Sequence, residues 1–590
     1  MLRSPASLLG RVLTRSRPLL GSKVMAPSTR SVVTSGYEIH SPFPDVEPAS
    51  DVVSLTLDTA RRFGHHTAVE CALTGRSYTY AQLEDGSLRF AGALQGMGVR
   101  RGDVVGILAP NGPEYPIAFL GAMAAGAGVT CFNPTYTPGE LGRQLSDSGA
   151  RVVVVDPLLE GTLDGALTQL PRPPKVVLMG RSSQAPGEGR PNLQELVGDE
   201  TRPFGEHVKV SERDLSVLGY SSGTTGAPKG ARIDHGAVAY NLAMVLQPEV
   251  FPYAPTTAES QESVIGLMPF FHAWGMYGVM ACSLALGSKV VTMPQFIPEL
   301  FVKVIRQHQV GVLHLVPPLL QFLVAHPLVT PADLASVRST MCAAAPCPPQ
   351  AAHAFKEKVP GKVFFQEVYG MTETMPTHFT PLNGKENIGS CGVLLPCVRA
   401  RVEDLQTGAP LPPGRAGELV MYTPALMSGY HGNEDATRDV MTADGWLRTG
   451  DVARYDSEGY FYIVDRIKEL IKVKGLQVSP TELEDELRGH PSVADVGVVG
   501  VSDARAGEVP RAYVVRRKTA TSGGGGEKEE EERAEEERLA EALKTFLSER
   551  VAPHKHLAGG VRFVGELPKN PTGKLLRRTL KEMAAQEEGD

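Results

Sequence analysis

The sequence predicts an α/β protein with a large N-terminal domain and a smaller α+β domain at its C-terminus. Three observations carry this prediction. Short, almost wholly apolar strands alternate with helical patterns over the first part of the chain, which is typical of parallel sheets covered by helices. Between Ile388 and Tyr462 the strands are short and punctuated by Gly and Pro, which indicates a smaller β-rich subdomain. From Ser479 the pattern changes to one helix followed by two strands.

The individual elements follow one another along the chain. Residues 51–63 have the apolar spacing of an amphipathic helix. Residues 117–129 are apolar and rich in Gly and Ala but too few to cross a bilayer, so we interpret them as a helix buried in the core. The predicted buried strands are 103–108, 151–156, 175–179 and 289–292. The predicted C-terminal elements are a helix over 480–488, strands over 493–501 and 511–516, and a helix over 539–550.

The change of pattern places a domain boundary at residues 465–468. We therefore predict an N-terminal domain over 37–465 and a C-terminal domain over 466–590. An acidic insertion, 519–541, interrupts the second domain with a Gly/Ser linker and then nine acids against three bases. Charge runs of this kind usually stay hydrated, so we expect a solvated loop leading into the last predicted helix. A docking segment for a basic partner is the alternative.

Bulk properties exclude several classes of protein. The net charge of −7 argues against a nucleic-acid partner, because such proteins usually present a basic surface. The seven cysteines are scattered without a Cys-x-x-Cys pair, which favours neither a zinc site nor a disulfide framework and indicates a reducing compartment. No apolar run reaches the roughly 18 residues of a membrane-spanning helix, so we expect no transmembrane segment.

The N-terminal segment differs from the rest of the chain. Residues 1–37 hold six cations, seven serines and no acid. This composition is typical of a mitochondrial transit peptide, which we assign to residues 1–36. It predicts a mitochondrial matrix location, or a cytoplasmic one if translation starts at Met25. The alternative is a disordered basic tail on a cytosolic protein.

The Gly-rich stretch Tyr220-Ser-Ser-Gly-Thr-Thr-Gly-Ala-Pro-Lys-Gly230 is the most informative part of the chain. Glycines let the backbone approach a ligand closely, while hydroxyls and an ammonium add hydrogen-bond donors, so the stretch suits polyanionic oxygens. It is not a Walker A loop, because Pro228 precedes Lys229 and no Ser or Thr follows it. The stretch therefore predicts nucleotide chemistry other than that of kinases and GTPases.

This stretch resembles the phosphate loop of the acyl-adenylate-forming superfamily, which comprises acyl- and aryl-CoA synthetases, 4-coumarate–CoA ligases and firefly luciferases. More motifs of that superfamily follow in the expected order, and the likeness covers residues 50–585. These motifs are Pro269-Phe-Phe-His272, Tyr369-Gly-Met-Thr-Glu373, Gly417-Glu-Leu, Trp446-Leu-Arg-Thr-Gly-Asp451, Asp465-Arg-Ile-Lys468, Lys472-Val-Lys-Gly475 and Pro571-Thr-Gly-Lys574. Because the whole ordered set is present, the resemblance is specific.

The resemblance implies a fold and an activity. The large domain would consist of two α/β subdomains plus the β-rich subdomain, and the small C-terminal domain would be a mobile cap. A carboxylic acid would react with ATP to give an acyl-adenylate and pyrophosphate, and CoA would then displace AMP. The implied partners are thus a small carboxylic acid, ATP, CoA and Mg²⁺.

The resemblance also assigns roles in the first half-reaction. Thr372 would donate to the α-phosphate, and Glu373 would hold Mg²⁺, a cation that prefers oxygen ligands. His272 would line the acyl pocket near the substrate carboxylate. The residues assigned to the phosphate loop are Ser221, Ser222, Gly223, Thr224, Thr225, Gly226 and Lys229.

Other residues would bind the rest of the nucleotide. Tyr369 would stack near the adenine, and Ala344 is assigned to the same nucleotide site. Asp451 would accept hydrogen bonds from the two ribose hydroxyls. Arg466 would contact the nucleotide from the hinge between the domains, and Lys468 belongs to the same hinge.

The cap would supply a different lysine to each half-reaction. Lys574 is the lysine that the resemblance assigns to adenylation. Rotation about residues 465–468 would withdraw it and present Lys472, with Gly475 leaving space for the pantetheine arm of CoA and Gln477 nearby.

Two departures from the superfamily pattern concern the acid. Val368 precedes Tyr369 where many relatives have Gly, and Cys342-Ala-Ala-Ala-Pro346 replaces a Gly-containing motif. Both changes add carbon atoms, so we expect a tight acyl pocket for a medium-chain or compact aromatic acid. The alternatives are an adenylate-forming enzyme with another acceptor, including a luciferase-like oxidase, and a non-catalytic nucleotide-binding scaffold.

Overall fold

The computed structural model describes residues 32–34, 36–180, 190–199, 204–205, 207–221, 228–474, 476–503, 505–517, 528–570 and 573–587. The chain divides into two compact units. Unit 1 comprises residues 1–400, 421–447 and 458–460, and unit 2 comprises residues 401–420, 448–457 and 461–590. The predicted leader lies outside the described residues except for 32–34 and 36, and its boundary stays a prediction. The predicted domain boundary at 465/466 also stays a prediction.

In the described residues, strands β1 to β26 are Val32–Val33, Ile39–His40, Thr67–Cys71, Ser77–Thr79, Val104–Leu108, Gly128–Phe132, Val152–Val155, Lys175–Leu178, Leu215–Ser221, Lys229–Asp234, Ser263–Gly266, Lys289–Thr292, Val312–Leu315, Ser339–Cys342, Phe364–Met371, Met375–Phe379, Val393–Leu394, Arg399–Glu403, Gly417–Tyr422, Leu447–Tyr455, Phe461–Arg466, Ile471–Val473, Leu476–Val478, Val493–Asp503, Gly507–Arg516 and Val561–Phe563. Helices α1 to α15 are Val52–Phe63, Tyr80–Gly96, Tyr115–Ala124, Pro138–Ser148, Glu160–Leu167, Leu193–Gly198, His235–Val245, Cys282–Ala285, Pro298–Gln307, Pro317–Ala325, Pro349–Lys358, Glu434–Val440, Pro480–Arg488, Lys528–Ser548 and Arg577–Glu587. A π-helical stretch, Trp274–Ala281, leads into α8.

Unit 1 contains three sheets with helices between their strands. The first has the order β10-β9-β6-β5-β7-β8, in which only β10 is antiparallel to its neighbour. The second has the order β11-β12-β3-β4, and the third has the order β13-β14-β15-β16-β17. In the third sheet β13, β14 and β15 are parallel, and β16 and β17 are antiparallel. The predicted α/β fold class is thereby confirmed.

Local sequence signals account for several of these helices. Asp51 caps α1, because its Oδ1 accepts the Ser54 amide at 3.0 Å. Thr137 and Glu140 form a capping box at the start of α4, which begins with Pro138. Helix α3 is wholly buried, as expected from its continuous apolar sequence.

One predicted element of unit 1 is wrong in extent. The apolar run 117–129 is not a single helix, because α3 ends at Ala124 and the chain then enters strand β6 at Gly128. Gly126, with φ of +83°, makes the turn between them. An apolar run has no periodicity that would distinguish a buried helix from a buried strand.

Unit 2 is built on two sheet regions. Strands β18, β19, β20 and β21 pair in that order, and most of their residues belong to this unit. The second region has the order β23-β22-β25-β24, with β26 parallel to β25. The predicted helix Pro480–Arg488 is α13, and it packs on β24 over a core that includes Leu483 and Leu487.

The acidic insertion 519–541 was expected to be a loop as far as the helix predicted at 539, and this expectation is wrong. Helix α14 begins at Lys528, so residues 528–538 are helical, while residues 518–527 lie outside the described part. Glu, Lys, Arg and Ala favour helix, and acids near a helix N-terminus interact well with its dipole. Leu543 and Leu547 anchor the C-terminal half of α14 in the unit 2 core.

The structure bears on the expectations about membrane-spanning helices and disulfide bonds. Among the described residues, no helix is both long and apolar enough to span a bilayer. The seven cysteines are all free thiols, and five of them are buried.

Candidate functional site

The ends of the Gly-rich loop are held together by a β-hairpin in unit 1. Strand β9 ends at Ser221, strand β10 begins at Lys229, and these two residues face each other in the antiparallel register. Ser222, Gly223, Thr224, Thr225 and Gly226 lie outside the described residues, so their assignment to phosphate binding stays a prediction. The hairpin fixes where the loop leaves and re-enters the sheet.

Glu373 lies in a small polar group with Lys229 and Tyr430. The Tyr430 hydroxyl donates to Oε1 of Glu373 at 2.9 Å, and the Glu373 residue is only 5% exposed. The Lys229 ammonium lies 5.2 Å from the centre of the Tyr430 ring, a cation–π distance. The structure therefore brings the predicted metal ligand close to the lysine of the phosphate loop. Tyr430 belongs to none of the motifs and was not predicted.

The segment that carries Tyr430 is attached to strand β10 by its backbone. The His431 amide donates to the Gly230 carbonyl at 2.7 Å, and the Arg232 amide donates to the Gly429 carbonyl at 2.9 Å. The Met427 amide donates to the carbonyl of Glu373 at 2.8 Å. A sequence gives no local signal for these contacts, because the partners are separated by about two hundred residues or by fifty.

Thr372 lies against strand β9, close to the start of the Gly-rich loop. A Cβ placed on Gly219 would lie 3.0 Å from Cγ2 of Thr372, so a side chain at position 219 would push on the threonine. Thr372 therefore lies beside the β9–β10 hairpin, which is compatible with its predicted role. That role itself stays a prediction.

His272 is held by a loop that a buried asparagine anchors. Nδ2 of Asn111 donates to the carbonyls of Gly266 and Met268, both at 2.9 Å, and its Oδ1 accepts the Phe270 amide at 2.8 Å. Nδ1 of His272 accepts the Trp274 amide at 3.4 Å, where the π-helical stretch begins. Asn111 thus holds the backbone of residues 266–270, which lead to His272, although nothing in the sequence around it signals this role.

Ala344 and Tyr369, both assigned to the nucleotide site, belong to neighbouring parts of the third sheet. Ala344 follows β14 and is exposed, with φ of +73°, a conformation that costs a non-glycine residue energy. Tyr369 lies on β15, with its ring centre 5.3 Å from that of His378 at an angle of 74°. Since β14 and β15 are parallel neighbours, both residues lie towards the same end of the sheet.

In unit 2, Asp451 and Arg466 form an ion pair. They are register partners on β20 and β21, and Nε of Arg466 lies 3.0 Å from Oδ1 of Asp451. Asp451 is 3% exposed, and its amide donates to Oγ1 of Thr449 at 3.0 Å. The predicted ribose ligand is thus buried, and the predicted hinge arginine offsets its charge.

Lys574 lies near this ion pair, within unit 2. Burial lowers the pKa of its ammonium, and the positive charge of Arg466 lowers it further, against the opposing effects of Glu469 and Asp451. The Lys574 amide donates to Oδ1 of Asn570 at 2.8 Å, and the Asn570 amide donates back to the Lys574 carbonyl at 2.9 Å. Two reciprocal hydrogen bonds therefore fix the backbone from which the lysine side chain extends.

Lys472 lies on the β22–β23 hairpin of unit 2. It lies on β22 opposite Gln477 on β23, and its amide donates to Oε2 of Glu508 at 2.8 Å. The structure therefore brings these two predicted residues together, and both are exposed, as is Lys468. Gly475 lies outside the described residues, so its role in admitting pantetheine stays a prediction.

The fold is that of an enzyme that adenylates a carboxylic acid. The group around Glu373 in unit 1 and the group around Asp451 in unit 2 have the residue types that this chemistry needs. Family sequence models agree: the AMP-binding enzyme model matches residues 57–431, and the AMP-binding enzyme C-terminal domain model matches residues 482–574. Because the matches cover more than half of the chain, it belongs to the AMP-binding enzyme family.

Known proteins similar to the chain include plant ligases. It is 37% identical over 557 residues to the 4-coumarate–CoA ligase-like 9 of Oryza sativa subsp. japonica, which covers 92% of this chain and 95% of that protein. It is 33% identical over 554 residues to the 4-coumarate–CoA ligase of Pinus taeda, with 92% and 97% covered. Both similarities extend over nearly the full length of each protein.

Solved structures give the same result. ATP-bound MatB from Rhodopseudomonas palustris has a TM-score of 0.78 at 27% identity, covering 90% of this chain and 98% of that one. A benzoate CoA ligase from Burkholderia xenovorans LB400 has a TM-score of 0.76 at 25% identity, with 90% and 99% covered. The predicted membership of the adenylate-forming enzymes is therefore confirmed.

Proposed function

We propose that this protein joins a medium-chain or compact aromatic carboxylic acid to CoA in the mitochondrial matrix, with ATP bound as its magnesium complex. The chain is an acid–CoA ligase that works through an acyl-adenylate, with ATP, CoA and a carboxylic acid as substrates. The observation that supports the proposed roles best is the position of Lys574 beside Asp451 and Arg466.

The first half-reaction needs positive charge more than it needs a base. A carboxylate oxygen of the acid forms a bond to the α-phosphorus of ATP, while the bond from that phosphorus to the bridging oxygen breaks and its electron pair leaves with pyrophosphate. The attacking group is already an anion, so no proton has to be removed. Cations and N–H donors placed along the phosphates lower the barrier by offsetting repulsion. Lys229 and Lys574 are the cations that we assign to this task.

In the second half-reaction the sulfur of CoA forms a bond to the acyl carbon. The bond from that carbon to the phosphate oxygen breaks, AMP leaves with the electron pair, and the thiol proton passes to solvent. We assign Lys472 and Gln477 to this step, because they lie opposite each other on one exposed hairpin. Because both residues are exposed, they are accessible to a long, flexible substrate arm.

The residues present fit a magnesium ion at Glu373. One carboxylate oxygen accepts a hydrogen bond from Tyr430, and the second oxygen would serve as the ligand. Among the described residues no cluster of three or more His, Cys, Asp or Glu side chains could hold a metal. Mg²⁺ commonly binds through one or two carboxylates together with substrate phosphates, so a single carboxylate suffices here. When bound, Mg²⁺ would neutralise phosphate charge.

The proposed location rests on the composition of the leader, which is cationic, serine-rich and free of acids. A medium-chain acid in that compartment would place the enzyme in fatty acid metabolism. Residues 1–37 fused to a fluorescent reporter should be imported into mitochondria, and replacing Arg11, Arg15 and Arg17 with Glu should stop the import. A diffuse signal from the unaltered fusion would refute the location while leaving the enzyme activity in place.

The activity is tested by following pyrophosphate release over short, medium, long and aromatic acids, with and without CoA. We expect release with medium-chain or compact aromatic acids, and faster turnover when CoA is present. Formation of the acyl-CoA product is confirmed by mass. Release that CoA neither accelerates nor converts to thioester would overturn the proposed acceptor, and a preference for long chains would overturn the proposed acid.

A further inference from the structure

One face of the third sheet in unit 1 carries an aromatic cluster beside Val368. His314 on β13 is in register with Met341 on β14, which is in register with Gln366 on β15. Register partners in a parallel sheet point to the same face, and side chains alternate along a strand. His314, Gln366 and Val368 therefore share one face, and Val368 is the residue that the sequence places beside the acyl pocket.

The His314 ring packs against Trp274. Their ring centres are 5.3 Å apart at an angle of 64°, an edge-to-face arrangement. Trp274 in turn donates its amide to His272, the residue predicted to lie near the substrate carboxylate. It also opens the π-helical stretch Trp274–Ala281, and such stretches are frequent at functional sites. The cluster thus connects His272 to the face that carries Val368.

His314 lies at the end of a short chain of hydroxyl groups, which favours one tautomer of its ring. Oγ of Ser283 donates to the Tyr253 hydroxyl at 3.3 Å, and that hydroxyl lies 3.3 Å from Nε2 of His314. In the tautomer in which the Tyr253 hydroxyl donates to Nε2, the ring proton is on Nδ1. Burial lowers the pKa of His314 to about 3, so the ring is neutral at physiological pH. Nδ1 is thus a neutral N–H donor.

Two buried donors in this cluster lack a partner. Within the part of the chain that the structure describes, neither Nδ1 of His314 nor Nε1 of Trp274 makes a hydrogen bond. The two residues are 6% and 8% exposed, so bulk solvent does not supply the acceptor. Buried donors are rarely left unsatisfied, because desolvating them without a hydrogen bond is costly. Two such donors in one aromatic pair indicate that an acceptor atom binds between or beside the rings.

We propose that His314 and Trp274 select acids whose distal part carries a neutral oxygen acceptor, such as a ketone, ether or hydroxyl oxygen. The inference rests on the proposed function, since it assigns the cluster to the acyl pocket of that enzyme. Both donors are neutral, so they suit an uncharged oxygen. A second carboxylate would bring a buried charge that two neutral N–H groups offset poorly.

The experiment compares octanoate with its 4-, 5-, 6- and 7-oxo derivatives. Each derivative has a carbonyl group in place of one methylene group of octanoate. We expect one oxo acid to have a kcat/KM for pyrophosphate release about 10-fold above that of octanoate, a ratio typical of one satisfied buried hydrogen bond. The same acid should raise the Tm of the protein, without ATP, more than octanoate does. The Tm measurement separates the two proposals, because it reports binding even if adenylation fails.

Two variants assign the selectivity to the cluster. Trp274→Phe and His314→Phe each remove one donor but keep an aromatic ring, so each should reduce the preference for the oxo acid towards unity. Thr340→Val is the matched control. Thr340 also has a buried polar atom without a partner among the described residues, but it neighbours Met341 on β14 and so points to the opposite face. It should leave the preference unchanged.

The outcomes are distinguishable. An equal response to octanoate and all four oxo acids, in both kcat/KM and Tm, would overturn the inference and would indicate that a water molecule satisfies the donors. A preference that persists in both aromatic variants would overturn the assignment to His314 and Trp274. If His314→Phe does not fold, Trp274→Phe decides the question alone. Selective stabilisation by an oxo acid without any pyrophosphate release would support the inference and refute the proposed function.

Discussion

Nε of Arg466 lies 3.0 Å from Oδ1 of Asp451, and the two residues face each other on adjacent strands of unit 2. The carboxylate is almost wholly buried, whereas the arginine side chain is about one-third exposed, at 32%. The pair therefore allows a charged group to stay inside the protein at the position predicted for the ribose hydroxyls.

Arg466→Ala should weaken ATP binding and lower stability. Removing the arginine leaves the Asp451 carboxylate buried without its cation, which costs on the order of 1–3 kcal/mol for a hydrogen bond to a charged group. We expect the Tm to fall for this reason, and the KM for ATP to rise about 10-fold because the contact that Arg466 is predicted to make with the nucleotide is lost. Arg466→Lys keeps the charge and should recover part of both losses. An unchanged KM for ATP in a folded Arg466→Ala protein would contradict the proposed role of the pair.

The lowered pKa of Lys574 predicts how adenylation depends on pH. In its proposed role Lys574 acts as an ammonium, and burial together with the charge of Arg466 makes that ammonium easier to deprotonate. In the absence of CoA, kcat/KM for pyrophosphate release should therefore fall as pH rises, with an apparent pKa below the ordinary lysine value of 10.5. Lys574→Arg keeps its charge at alkaline pH and should move this loss to higher pH. An alkaline limb that is identical in Lys574→Arg would assign the titration to another group.

Lys574 and Lys472 should serve different half-reactions. Losing a cation that acts in one transition state should slow that step by about 10²–10³-fold. Lys574→Ala should impair adenylate formation yet still convert supplied acyl-adenylate and CoA to thioester, and Lys472→Ala should show the reverse. Single-turnover kinetics of each half-reaction provides the measurement. Lys569→Ala is the control, because Lys569 pairs with Asp495 at 2.5 Å and has no assigned role. Equal losses in both steps for the two variants would show that the lysines do not divide the work.

Tyr430→Phe should weaken the binding of Mg²⁺ at Glu373. The substitution keeps the ring beside Lys229 but removes the hydroxyl that orients the buried carboxylate. We expect the Mg²⁺ concentration for half-maximal adenylation to rise by roughly 5- to 10-fold, as for one hydrogen bond to a charged group. Tyr78→Phe is a matched control, because the Tyr78 hydroxyl donates to Glu114 at the same distance, 2.9 Å, elsewhere in unit 1. A similar rise in both variants would show a general effect on the fold.

Local sequence patterns predicted the elements that have a clear period or a clear motif. The amphipathic helix expected over 51–63 is α1, Val52–Phe63, and the strand expected over 289–292 is β12. The patterns failed where the sequence has no period to measure. The apolar run 117–129 conceals a change from helix to strand, and the charged run before residue 539 is helical because its residue types favour helix.

The candidate site divides in the same way. Glu373, Asp451 and Lys574 stand in motifs, so their positions in the sequence could be recognised. Tyr430 and Asn111 stand in none, since they act through contacts with segments far away in the chain. Such partners depend on how the sheets and loops pack, and a single sequence carries no local signal of that packing.

The aromatic cluster around Trp274 has a practical consequence. The chain contains only two tryptophans, and the other, Trp446, packs near Arg399, whose guanidinium lies 5.2 Å from its ring centre. Replacing Trp446 with Phe would leave a single indole, in contact with the rings that we assign to acid recognition. The fluorescence of that indole would then report the arrival of the acid directly, so binding could be timed separately from either chemical step.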